Sequence, residues 1–307
     1  MKVLPSTRLL PTDTLVVLLN IMFGLLFLMF ALRGEGVAWS SAILYLAAAP
    51  IVVLLVRSTG ASRSPTFGFI RTFYVQLFYI FYFTDCIRLS QLVYGGRSLD
   101  KLFLLLEEAI FGFQPAVRLS QAYSDLPIVN ELFFFSYFFY YALIVTGPWI
   151  LYVRGRREKA LRGLFMITAG FAVLYIFYIV VPVQGPKYAI ESLRQSWYSE
   201  FSGYVFTPIM TTIFAHTNLA GAAFPSSHVA MATAALLFNR HHNPRLAILF
   251  LPFTLLLFFS TVYIYAHYVV DVIAGIPVGL LVYYQAPKLW GPVDRLSRLW
   301  ARSKRPE

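Results

Sequence analysis

The sequence predicts an all-α, polytopic membrane protein, a bundle of about eight transmembrane helices within a range of roughly six to eight. Three observations predict it. Of 307 residues, 59% are hydrophobic and 18% aromatic, and the mean hydropathy of +0.68 lies far above that of a soluble domain. Apolar runs long enough to cross a bilayer recur along the chain. Between them lie short connections, with no internal repeat, low-complexity segment or hydrophilic domain.

Taken in order, the leader MKVLPSTRLLPTD precedes a first apolar run at roughly 14 to 32. No small-residue cleavage site follows it, which predicts a retained span and not a signal peptide. A second run, roughly 37 to 56, ends at Arg57 and the turn-rich STGASRSP. The third, roughly 66 to 94, holds Asp85 and Arg88, three apart on one helix face. Charges at that depth cost about 2.5 to 3.5 kcal/mol each, so a structural pair is expected. Residues 95–130 set Lys101, Glu107, Glu108 and Arg118 around a stripe of Leu102, Leu105, Leu106, Ala109 and Ile110, the pattern of an amphipathic surface helix. Glu131 opens the aromatic run LFFFSYFFYYALIV, whose tyrosines suit an interface or a protein-facing groove, with interface anchoring the default. Further runs fall at roughly 131 to 153, 160 to 182, 225 to 239, 246 to 265 and 267 to 287. The third is long and polar in places and the sixth short, hence the range in the count. Three regions result: N-terminal helices with the surface segment (1–130), a membrane core (131–288) and a basic tail (289–307).

Basic residues orient the bundle. In the C-terminal half five lie in RGRREKALR, two at Arg240 and Arg245, and six from Lys288 onward, 13 on one side against Lys187 and Arg194 on the other. By the positive-inside rule the basic side is cytoplasmic, with both termini there. The net charge of +11 predicts contact with anionic lipid on that side rather than nucleic acid. Lys187, His228 and His267 then meet at the outer face. His228 falls in the first turn of a helix after Pro225-Ser226, and His267 and Asp271 are four apart, one above the other on a helix face. Cys86 is alone, which excludes an internal disulfide and a cysteine metal site.

GPKYAIESLR, FPSSH and STVYIYAHYVVD, from Pro182 to Gly279, resemble the three-part signature of the type 2 phosphatidic acid phosphatase superfamily. The resemblance implies a phosphatase-like core in the C-terminal half. Lys187 and Arg194 keep the spacing of the first part, although Gln195 replaces the usual proline. Ser227 stands for the glycine of the second part, and Thr261 for the arginine of the third. The second and third parts are most similar to the inositol phosphorylceramide synthase branch, where that arginine is also missing.

The residue types suit phosphate chemistry. A phosphate ester is held by cations and N–H donors, attacked in line, and relieved of its leaving oxygen by an acid. His267 is the expected nucleophile, its Nδ1 proton held by Asp271, and His228 the expected acid and base. Lys187, Arg194, Ser226 and Ser227 are expected to cradle the phosphate at a helix N-terminus, with Thr261 and Tyr263 as further donors. His216 is expected to be solvated, and His241 and His242 to lie at the opposite end. The first expectation is a lipid phosphate phosphohydrolase working through a phosphohistidine at the outer face of the cell membrane. The alternative is a phosphotransferase of the inositol phosphorylceramide synthase type, and a second alternative is a non-catalytic lipid transporter or binding protein. The resemblance implies no metal and no cofactor, whereas two histidines and an aspartate could by number hold zinc. The expected partners are a lipid phosphate substrate and membrane lipids.

Overall fold

A computed structural model describes residues 8–59, 64–194, 197–217 and 220–302. The chain runs through α1 (Pro11–Leu32), α2 (Ala38–Thr59), α3 (Pro65–Phe73), α4 (Val75–Tyr94), α5 (Asp100–Phe111), α6 (Pro115–Tyr123), α7 (Pro127–Val153), α8 (Arg157–Val180), α9 (Pro186–Ala189), α10 (Phe206–Thr217), α11 (Ser227–His242), α12 (Pro244–Tyr263) and α13 (Val269–Arg302). Punctuation in the sequence sets these limits. Proline opens α1, α3, α6, α7 and α12, where its missing N–H costs nothing. Gly95 and Gly112 close α4 and α5 in the left-handed conformation.

Six of these helices, α1, α2, α7, α8, α12 and α13, are long and apolar enough to cross a membrane, at the lower end of the expected range. The third apolar run is divided at Tyr74, and its main part, α4, carries Gln76, Asp85, Arg88 and Gln91. It packs against α1 and α8. The Asp85–Arg88 pair forms at 3.1 Å, and Tyr45 of α2 donates to the same carboxylate at 2.6 Å. The sixth run is α11, 16 residues long. The predicted amphipathic segment is two helices, α5 and α6, and the Leu102, Leu105, Leu106 and Ile110 stripe of α5 is exposed. At the C-terminus α13 continues past the expected end at 287 for 34 residues in all. Its last turns dock on α1, where Ser297 and Thr14 share a hydrogen bond of 2.6 Å.

α11 is the central element, contacted by α7, α8, α12 and α13. Nine of its 16 residues are buried, four of them alanines that leave room for close neighbours. α13 meets it through Gly275 and Gly279. A Cβ at Gly275 would stand 2.9 Å from the Ser226 carbonyl oxygen, and one at Gly279 would collide with the Ala230 carbonyl. Glycine here sets the distance between the helix that carries His228 and the helix that carries Asp271.

Candidate active site

Three connections converge at one end of the bundle, and backbone hydrogen bonds lock them together. Ala223 N–H donates to the Val183 carbonyl at 3.0 Å, Lys187 N–H to Tyr265 at 3.1 Å, and Ser226 N–H to Asp271 at 3.1 Å. Gly185 makes the second approach possible: its φ is +97°, and a Cβ would stand 2.6 Å from the Ala266 carbonyl oxygen. The segments GPK, FPSSH and YAHYVVD, scattered over the sequence, thereby form one wall.

His267 and His228 face each other across that wall, with Nε2 of the first 3.4 Å from Nδ1 of the second. Their protonation follows from their partners. His267 Nδ1 lies 2.9 Å from the Ala223 carbonyl oxygen, which can only accept, so Nδ1 carries the hydrogen and Nε2 presents a lone pair. Burial, with Lys187 nearby, holds the His267 pKa down at about 3, so the imidazole is neutral. The hydrogen between the two rings therefore belongs to His228 Nδ1. Tyr137 and Tyr140 of α7 bracket the His228 ring, each with its ring centroid 4.4 Å away. These tyrosines of the aromatic run face the site, where interface anchoring was expected, because the inward face of α7 packs on α11.

Asp271 is placed differently from its expected position. Its Oδ2 is 3.5 Å from His267 Nδ1 and accepts from the Tyr268 N–H at 2.9 Å, while Oδ1 is buried without a hydrogen-bond partner. The Ala223 carbonyl takes the direct bond, and the Asp271 carboxyl group stands just behind it.

Lys187 is buried, with Nζ 4.1 Å from the ring centre of Phe214, 5.0 Å from Tyr188 and 5.2 Å from Trp197. Aromatic faces accommodate a cation but burial still pulls the Lys187 pKa down to about 7. Arg194 does not join it. The Arg194 side chain is exposed, donates to the Tyr188 carbonyl at 3.1 Å and pairs with Glu191 at 3.4 Å. Ser226 is the cap of α11, its Oγ accepting from Val229 N–H at 3.4 Å. The first-turn N–H groups of Ser227 and His228 have no acceptor within the helix. Thr261 donates to the Phe258 carbonyl at 2.8 Å and Tyr263 to the Asn130 side chain, so neither hydroxyl is free for a phosphate. His216 is exposed. His241 and His242 end α11, about 20 Å along its axis from His228.

Two carboxylates that sequence reasoning left on a surface helix belong to the frame of the site. Asp100 and Glu107, seven apart on α5, are buried on the face opposite the apolar stripe. Asp100 accepts from the N–H groups of Gln184 and Gly185, both at 2.9 Å, and from the Tyr268 hydroxyl at 3.0 Å. Glu107 accepts from Val269 N–H and, at 3.4 Å, from Val270 N–H at the start of α13. A signal was present, since a Glu-Glu pair interrupting an apolar stripe costs less when one member turns inward to a helix N-terminus.

A histidine pair, His267 buried and His228 half-buried, stands beside a caged lysine at the starts of two close-packed helices; among the described residues no group of three His, Cys, Asp or Glu side chains is arranged to hold a metal. The family model of the PAP2 superfamily matches residues 102–285, and the chain belongs to that superfamily. The match begins inside α5 and takes in every residue of the site except Asp100. Over 73 residues the chain is 36% identical to the inositol phosphorylceramide synthase catalytic subunit of Saccharomyces cerevisiae, covering 24% of this chain and 18% of the relative. Over 83 residues it is 34% identical to the corresponding subunit of Schizosaccharomyces pombe, covering 27% of this chain and 20% of the relative. The chain thus matches about a fifth of the length of either relative. No solved structure matches it significantly.

Proposed function

We propose that the protein transfers a phosphorus-bearing headgroup from one lipid alcohol to another through a phosphohistidine at His267. In the first half-reaction the His267 Nε2 lone pair forms the N–P bond as the P–O bond to the leaving alcohol breaks. His228, which takes up a proton as the anionic headgroup binds beside it, gives a proton to that alkoxide and returns to the neutral imidazole. In the second half, His228 takes the proton of the acceptor alcohol, the new P–O bond forms and His267 is released. Asp271 and the Ala223 carbonyl stabilise the positive charge that the imidazole gains, and the N–H groups of Ser227 and His228 hold phosphate oxygens.

The observation that carries transfer over hydrolysis is the charge at the site. Among the described residues Lys187 is the cation beside the histidines, since Arg194 is turned to Glu191 and Thr261 stands where a second cation would be. One cation matches the single negative charge of a phosphodiester, whereas a phosphomonoester carries about 1.5 to 2 at neutral pH. The similarity to inositol phosphorylceramide synthase subunits supports the same choice. Hydrolysis of a lipid phosphomonoester is the second reading, favoured by Arg194, which stands seven residues after Lys187 in an exposed segment.

The catalytic core comprises 131–288, completed by α5. The basic residues of the 154–162 turn, with Arg240, Arg245, Arg295 and Arg298, support an extracytoplasmic site with both termini cytoplasmic, in the cell membrane. The test is purified protein in detergent with a chelator present, given phosphodiester or phosphomonoester lipids with and without a lipid alcohol. Transfer predicts a new phospholipid that requires the alcohol. Free phosphate from a monoester, independent of the alcohol, would establish the hydrolytic reading instead.

A further inference from the structure

A second cavity lies at the opposite end of the bundle. Asp271 and Asp294 are 23 residues apart on α13, which places this cavity about 35 Å along the helix from the histidines. It has a volume of about 980 Å³ and is formed where the start of α1, the start of α3, the α7–α8 turn and the distal part of α13 meet. Phe69, Tyr152, Leu161 and Trp290 make its walls apolar, and three arginines, Arg8, Arg157 and Arg298, stand around it.

Their charges are not matched by acids. Arg8 and Arg298 share one carboxylate, Asp294, and Glu158 is engaged by Arg162 at 3.0 Å. Arg157 lies over the Tyr152 ring, 5.0 Å from its centre, with no carboxylate against it among the described residues. Arg8 Nε is buried and has no hydrogen-bond partner among the described residues. Unmatched guanidinium groups beside an apolar hollow at a membrane-facing end call for a ligand with an anionic head and an apolar body.

We propose that this cavity binds one anionic phospholipid, its phosphate held by Arg8 and Arg157 and its chains laid against Phe69 and Trp290. The site is separate from the histidines and does not depend on the chemistry there. A neutral or zwitterionic lipid would leave the excess charge unanswered, and free phosphate would leave the apolar walls unfilled.

The test is native mass spectrometry of the full chain after delipidation and titration with phosphatidylglycerol or phosphatidylcholine. One phosphatidylglycerol should be retained with an affinity about tenfold above that of phosphatidylcholine, and inorganic phosphate should not displace it. Arg8→Gln with Arg157→Gln should lower that affinity about tenfold, and Lys159→Gln, a basic residue outside the cavity, should not. Val153→Glu at an exposed position on the rim should have the effect of the double variant while keeping every arginine, so a folding defect in one variant does not decide the matter. Equal retention of the two lipids, displacement by inorganic phosphate, or full retention by Val153→Glu would overturn the proposal.

Discussion

His267 and Lys187 owe their properties to burial. A neutral imidazole with Nδ1 bound to a carbonyl is a nucleophile at any pH above about 3, so the pH dependence of the reaction comes from elsewhere. Lys187 supplies it. With its pKa lowered to about 7, Lys187 is charged below that value and neutral above it, and the cation needed for the phosphate is lost as pH rises. We expect kcat/KM to fall about tenfold per pH unit above 7. Lys187→Arg, whose charge persists, should flatten that limb even if it lowers the maximum rate; a limb that stays in place would assign it to another group. His267→Ala should reduce turnover by at least about a thousandfold without lowering the unfolding temperature appreciably. That Lys187, His228, His267 and Asp271 meet at one end of the bundle was legible from the sequence, because each lies at or beside the start of a helix there; the direct partner of His267 Nδ1 was not, since the Ala223 carbonyl lies 44 residues away. Arg194 was not, because spacing places a Cα and says nothing of where an exposed, flexible side chain finds its partner. Glu191, three residues before it, takes the guanidinium instead.

At the level of elements, the site depends on α5 and on the contact between α11 and α13. Asp100 and Glu107 accept hydrogen bonds from backbone groups of the first and third connections, so Asp100→Asn or Glu107→Gln should cost about 1 to 3 kcal/mol and depress kcat more than substrate affinity. Thermal unfolding in detergent and steady-state kinetics measure the two effects. Gly279→Val should force α13 away from α11 at about 1 to 3 kcal/mol and reduce activity by separating His228 from Asp271. The amphipathic pattern of α5 was legible, with its leucines exposed. Its inward carboxylates were hidden, because the groups they cap lie more than 80 residues away in sequence. The split of the third apolar run at Tyr74 was equally hidden, since no proline or glycine marks it.

On the scale of the whole molecule, the bundle separates two chemistries: caged lysine and histidines at one end, arginines and the second cavity at the other. The helical membrane architecture was legible from composition and from runs of about 20 apolar residues, and six helices meet that criterion. The continuation of α13 to Arg302 was not, because Pro287 and Pro292 usually signal a helix end, and here the turns beyond them are held by Thr14 and by Arg57, which donates to the Trp300 carbonyl at 2.9 Å. Sidedness can be read in intact cells. His216→Cys should react with a membrane-impermeant thiol reagent and His241→Cys should not, against a background kept low by the burial of Cys86. The reverse pattern would place the site on the cytoplasmic face.

The central claim is that His267 carries the phosphorus group during turnover. Its most direct measurement is the intact mass of the protein quenched in alkali, where phosphohistidine survives, during reaction with a lipid phosphodiester. The account predicts a covalent adduct equal to the transferred headgroup, located on His267, absent from His267→Ala and discharged when a lipid alcohol is added. Turnover by the wild-type protein with no adduct, or an adduct that persists in His267→Ala, would contradict it.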